Sequence, residues 1–154
     1  MRLWRISNHA DLSGEGGRLA AGRWNRIGRR AVYLAEHSAL ALLETLVHLE
    51  IDPEDMPSGF RLLTVEVPDA LAVTTLEEAE LDTRSPGWRS DPAITRALGE
   101  AFFAAGESAI LRVPSVLVPD ARNVVLNPLH PDASRVRIVA EARAAFDDRL
   151  LRRI

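Results

Sequence analysis

A single α+β domain is the architecture to expect from this chain, and three observations lead there. Its 154 residues are 47% hydrophobic and 27% charged, enough to bury one core and too few for a multidomain assembly. Two stretches carry apolar residues at helical spacing, while six short runs alternate or cluster between proline and polar turns as strands do. No internal repeat, linker or low-complexity segment divides the chain, so 1–154 reads as one unit. Two helices with six strands suit a small, twisted, two-sheet core.

Taken in order, RLWRI at 2–6 alternates, with Trp4 and Ile6 on one face and Leu3 and Arg5 on the other. From Asp11 to Gly28 there is no periodicity, and five of the nine glycines fall there, which predicts a tightly turning loop. Ala31–Ala35 is a strand that sets Val32 and Leu34 opposite Tyr33. Residues 38–49 form the clearest helix, capped by Ser38, with Leu40, Leu43, Leu46 and Val47 along one stripe and Glu44 at its margin. Asp52 to Pro57 closes it.

Phe60–Val67 reads as a strand, and the acidic stretch Leu76–Asp82 with Ser85-Pro86-Gly87 as a loop. Asp91-Pro92 opens a second helix that Gly106 stops. The runs 109–113, 123–126 and 136–140 are strands, and 141–154 has the composition of an amphipathic helix.

Composition excludes several chemistries. The absence of cysteine removes thiolate catalysis, cysteine-type zinc sites and disulfides. Neither a leader pattern nor an apolar run near the ~20 residues of a membrane span is present, so the expectation is a soluble, unexported, cytoplasmic protein with no membrane partner. His9, His37, His48 and His130 lack metal-ligand spacing, and no metal is expected.

The net charge of −3 hides an asymmetry: residues 1–35 sum to +5, residues 36–82 to −11 and the remainder to +3. Arginine supplies every basic charge, since there is no lysine. Arg18, Arg23, Arg26, Arg29 and Arg30 lie within thirteen acid-free residues, a patch that would draw an anion. A nucleic-acid binder would more often be basic overall, so a phosphate-bearing small ligand fits better than direct nucleic-acid contact.

The run from Gly16 to Glu44 concentrates the candidate chemistry. Guanidinium groups pair with phosphate oxygens, and glycines let backbone amides approach the same anion. The chain's sole tyrosine, Tyr33, can stack on a flat heterocycle, and the carboxylate of Glu44 can stabilise positive charge developing on a ribose carbon. Together they describe a site for a nucleotide with a cleavable glycosidic bond. Taken singly, each has an ordinary explanation: a solvated arginine, a core tyrosine, an exposed glutamate. No Walker loop is possible without lysine. Ser115 lacks the glycine elbow of a serine nucleophile, which favours a hydrogen-bonding role, and His130 reads as a turn residue.

These motifs, in the order RLWRI, GRWN..G..AVYLAE.S.ALALLE, LRVPS, NVVLNP.HPD and FDDRL, resemble the RES domain family over nearly the whole chain, with the acidic middle from Pro68 to Ser90 matching least. The resemblance implies an ADP-ribosyltransferase-like fold and the toxin of a bacterial toxin–antitoxin pair, an enzyme that inhibits growth by destroying NAD. By motif, the family's Arg, Tyr, Glu and Ser fall on Arg23, Tyr33, Glu44 and Ser115, with Arg5 as a further recurrent arginine. It implies an extended rather than helical tail around FDDRL. It also implies a cognate Xre-like helix-turn-helix antitoxin covering the active site, and allows a homodimer within that complex.

Residues and resemblance converge on NAD as substrate. Arg23 and Arg5 hold the diphosphate, Tyr33 stacks on nicotinamide or its ribose, Ser115 fixes the carboxamide or a ribose hydroxyl, and Glu44 stabilises the cationic ribose. Water, phosphate or a protein side chain remains open as acceptor, the last giving a protein ADP-ribosyltransferase. The other reading is a non-enzymatic phosphate- or nucleic-acid-binding module built on the arginine loop.

Overall fold

The computed structural model describes residues 1–48, 59–144 and 146–151. Alternation along the chain becomes two-sidedness of strands. In β1 (Arg2–Ser7), Leu3 belongs to one core and Trp4 and Ile6 to another. In β2 (Val32–Ala35), Val32 and Leu34 face away from Tyr33, as expected. With β3 (Arg61–Glu66), β4 (Val73–Thr75), β5 (Ile110–Pro114), β6 (Arg122–Leu126) and β7 (Arg137–Arg143), the order is β4-β5-β6-β2-β1-β3-β7. Among the described residues, β4 and β5 are the one parallel pair.

Two sheets were expected, and one continuous sheet is found. It is nevertheless nearly cut in two, because β1 and β2 pair only at Trp4–Ala35, while β1 and β3 pair over six residues and β2 and β6 over four. Strands from both halves contribute to one core: Leu3, Leu63 and Val65 from one side, and Val32, Leu34, Ile110, Val124 and Leu126 from the other. Among the described residues no α-helical side chain belongs to that cluster, so the sheet and its turns cover this face themselves. The core of a sandwich is therefore made by one sheet.

The opposite face carries the helices. α2 (Ser38–His48) packs Leu40 and Ala41 with Trp4, Ile6 and Ala35. Its cap is the ring Nδ1 of His37, which accepts from Ala39 N–H at 3.1 Å, rather than Ser38. The expected apolar stripe is only partly buried: Leu43 and Val47 are 43% and 58% exposed, and Ala41 takes their place against the sheet. The closing segment Asp52–Pro57 lies outside the described residues.

Other differences have local causes. Inside the glycine loop a single turn, α1 (Glu15–Leu19), starts from Gly14 at φ +70°, a conformation glycine adopts freely. The acidic stretch read as a loop contains α3 (Glu78–Arg84), where Leu81 is buried, Glu80 pairs with Arg84 one turn on, and Arg89 from outside binds Glu78 and Asp82. Downstream cations neutralise charge that the segment's own sequence leaves repelling. The tail read as a helix is strand through Arg143, with one helical turn, α5 (Asp148–Leu151), beyond it; the extended tail implied by resemblance is thus interrupted.

α4 (Pro92–Ala105) follows the sequence closely, with Asp91 accepting from Ala93 N–H at 2.8 Å and Gly106 at φ +60° ending it. It also scaffolds the glycine loop. Thr95 Oγ1 donates to the Arg23 carbonyl at 2.7 Å and Arg96 Nε to the Gly22 carbonyl at 2.9 Å. One turn after these contacts the helix has Gly99, where a Cβ would overlap the Trp24 carbonyl.

Gly99→Ala tests this close approach by its sign. In an ordinary helix interior the substitution stabilises by ~0.5–1 kcal/mol. Here overpacking against backbone should cost ~1–3 kcal/mol, lowering Tm by roughly 2–12 °C in a domain of this size. A Tm equal to or above wild type in a thermal melt would show that the loop does not rest on α4.

Candidate active site

Beyond Trp4–Ala35 the two strands diverge, and the space between them is a cavity of about 540 Å3, a volume typical of small-molecule sites. Arg5 and Ile6 wall it on one side, Tyr33 and Leu34 on the other, and the glycine loop and α2 contribute Arg23 and Glu44. A second concavity of about 480 Å3, beside Glu66, Asp69, Arg135 and Arg137, gathers none of the residues singled out from sequence.

Glu44 is half-buried and faces this cavity rather than solvent. Its Oε1 accepts from Asn123 Nδ2 at 2.5 Å and from Ser115 Oγ at 3.4 Å. Ser115 directly follows β5 and is 7% exposed; its Oγ accepts from the Leu117 and Val118 N–H groups at 3.1 and 3.2 Å. With both lone-pair directions occupied, the hydroxyl proton points to the carboxylate. Ser115 does not itself line the cavity; it stands behind Glu44.

The glycine loop is organised by Asn25, which is completely buried. Its amide donates to the Gly17 and Arg26 carbonyls at 2.9 and 3.0 Å, and its Oδ1 accepts from Gly22 N–H at 3.1 Å and Tyr33 Oη at 2.7 Å. Tyr33 Oη in turn accepts from Trp24 N–H at 2.9 Å. Tyr33 thus reaches the cavity with its ring while its hydroxyl ties β2 to the loop, and burial pushes that hydroxyl up to about 12. At Gly22 a side chain would collide with this hydroxyl, so glycine is required there by contact.

The arginine patch is less free than its sequence suggests. Arg18 and Arg30 both pair with Glu15, and Arg29 pairs with Glu100 of α4 at 2.8 Å while lying over the Phe103 ring. Arg23 is different. It is half-buried, lines the cavity, donates Nη1 to the Trp88 carbonyl at 3.2 Å, and has no acidic partner among the described residues. Arg5 likewise donates to a carbonyl, that of Asp11 at 3.0 Å; burial lowers its pKa, with Asp11 opposing. Among the described residues, two guanidinium groups and one carboxylate therefore line the cavity.

All five expected side chains lie in this region: Arg5, Arg23, Tyr33 and Glu44 on the wall, and Ser115 one layer behind. Asn25 and Asn123 also line the cavity and are not among the residues that the sequence singles out. Asn25 stands inside the GRWN motif, where an amide in a glycine-rich segment is a signal for a loop anchor; Asn123 at a strand start carries none. Among the described residues no group of three or more His, Cys, Asp or Glu could hold a metal ion.

The RES domain profile matches residues 2–147. The chain belongs to the RES domain family. Toxin Res of Pseudomonas putida is 47% identical over 141 residues, covering 92% of this chain and 94% of the relative. The Prs ADP-ribosylating toxin of a Sphingobium species is 36% identical over 159 residues, covering 98% and 97%. A chain of the M. tuberculosis MbcT–MbcA toxin–antitoxin complex matches with a TM-score of 0.74 at 22% identity, covering 93% of this chain and 83% of that one. This likeness is one of fold, and it agrees with the single α+β domain expected from the sequence.

The RES cavity makes a spectroscopic prediction. As the chain's sole tyrosine, Tyr33 should ionise with a midpoint near 12 rather than about 10, read from tyrosinate absorbance against Tyr33→Phe. The unfolded chain releases this proton first, so the associated stability is complete below about pH 10 and lost as pH rises toward 12. A midpoint near 10 in the folded protein would mean the hydroxyl does not hold the loop.

Proposed function

We propose that this RES domain is a toxin that breaks the nicotinamide–ribose bond of NAD+ and is restrained by a cognate antitoxin. The observation that carries the reading is the Glu44 carboxylate, held through one oxygen in a cavity whose two guanidinium groups have no acidic partner among the described residues. A dinucleotide offers what those groups lack: a diphosphate for Arg23 and Arg5, and a ribose carbon that becomes cationic for Glu44. The names of the relatives, Toxin Res and Prs ADP-ribosylating toxin, support it independently.

Nicotinamide is a positively charged ring in NAD+, so it leaves as a neutral molecule with the glycosidic electron pair and needs no general acid. The oxocarbenium-like ribose left behind is stabilised by the Glu44 carboxylate. The Tyr33 ring walls the reacting end. Ser115 acts on the carboxylate through its hydrogen bond to Glu44 rather than on the nicotinamide carboxamide. Capture by water gives ADP-ribose and a proton, capture by phosphate gives its phosphorylated counterpart, and capture by a side chain gives an ADP-ribosylated protein.

Protein modification is the second reading, and the Sphingobium relative favours it by name. Labelled NAD+ separates the outcomes, since label stays on protein in one and in small molecules in the other. A nucleic-acid module has less support, because acids claim three of the five loop arginines. The partner we propose is an Xre-like helix-turn-helix protein seated over the cavity mouth, and the cytoplasm, with its NAD+ pool, is the compartment.

Arg23→Ala should leave Tm unchanged and abolish nicotinamide release, and Arg23→Lys should be nearly as poor, since a point charge does not reproduce the planar fork on a diphosphate. Activity within about twofold of wild type would make Arg23 a surface charge.

Glu44→Gln separates binding from chemistry. The near-isosteric amide should bind NAD+ almost normally by calorimetry and release nicotinamide ~10²-fold more slowly or worse in a single turnover. A parallel fall in affinity and rate would make Glu44 a binding residue, and no fall would place the reacting carboxylate elsewhere.

A further inference from the structure

We propose that Asn123 is a positioning residue: its side-chain amide, with the Ser115 hydroxyl, holds Oε1 of Glu44 so that Oε2 is the oxygen presented to the ribose carbon. The inference rests on the NAD+-cleaving reading above and assigns which carboxylate oxygen acts and what fixes it.

Both donors converge on one oxygen. Asn123 Nδ2 lies 2.5 Å and Ser115 Oγ 3.4 Å from Oε1, and among the described residues no side chain or backbone group donates to Oε2. A glutamate has three rotatable bonds, and on a half-exposed helix it would sample several rotamers. Here it is fixed from the sheet. Asn123 sits on β6 opposite Ala35 of β2 and Val113 of β5, held on both sides by ladder pairing. Ser115 is immobilised by two backbone N–H groups. Ala35 is also the residue that bridges to Trp4. The strand pairing that closes one end of the cavity thus places the amide that aims the carboxylate into it.

Because Asn123 pairs through its backbone, its side chain is removable without breaking the sheet. Asn123→Ala should keep NAD+ affinity within about twofold and slow single-turnover nicotinamide release by ~10–100-fold, the scale of a misplaced catalytic group. Placed in Glu44→Gln, the same substitution should slow release no further, because its effect passes through the carboxylate. Asn123→Asp keeps the shape but sets a carboxylate against Glu44, and should be at least as slow as alanine. A packing role predicts the reverse: a mild aspartate and the same alanine penalty in both backgrounds. Either result overturns the assignment. Should Asn123→Ala fail to fold by thermal melt, the aspartate variant, alone and with Glu44→Gln, decides the same question. If wild-type protein releases no nicotinamide from NAD+, the functional reading itself fails and this assignment with it. An active wild type with an indifferent Asn123 overturns only the latter.

Discussion

A sheet that kept β1 and β2 hydrogen-bonded along their length would set Arg5 opposite Leu34 and Ile6 opposite Tyr33, leaving no space between them. Pairing instead stops after Trp4–Ala35, and those four residues become walls of the cavity. The gap is tolerated because each strand is hydrogen-bonded on its other side, β1 to β3 and β2 to β6. Divergence also lets the halves share one buried core without a helical cover. One interrupted ladder thus provides both the sandwich-like core and the opening for a ligand.

The glycine loop closes that opening, and its rigidity comes from buried polar bonds rather than apolar packing. Asn25 satisfies several carbonyl and amide groups that a twisting loop leaves without secondary-structure partners, and α4 holds the Gly22 and Arg23 carbonyls from outside. Such a network stabilises only when complete, since an unpaired buried donor or acceptor costs ~1–3 kcal/mol. Among the described residues no buried side-chain nitrogen or oxygen is left without a partner. Arg23 is consequently carried by a fixed backbone while its guanidinium makes one bond to a carbonyl, an arrangement that orders the residue without neutralising it.

What was legible in the sequence is what depends on local pattern. Alternation placed Tyr33 opposite Val32 and Leu34, and cap and stop residues bounded α4. Long-range neutralisation was not legible. The arginine patch is acid-free along the chain, yet Glu100, some seventy residues away, pairs with Arg29. Closer in sequence, Arg89 neutralises the acids Glu78 and Asp82 of α3 from beyond the helix. β4 is three residues long and earns its place only by running parallel to β5, a pairing with no signature in so short a run. The site followed the same division: motif residues were found by type and order, whereas Asn123 acquires a role only when sheet pairing brings it to Glu44.

On the proposed reading, small acceptors and a protein acceptor would share the residues that act on the glycosidic bond and would differ in what they meet at the cavity rim. Val47 and Leu117 stand there, 58% and 39% exposed, and neither belongs to a buried cluster. A small acceptor such as water or phosphate gains nothing from an apolar rim, whereas a protein surface seated on it would bury those side chains. On the proposed reading, an inhibitory partner and a modified substrate protein would both meet these side chains. Charge does not separate them, because the cations of the cavity lie inside the rim; depth of reach does, since only a segment that enters the cavity meets Arg23 and Glu44.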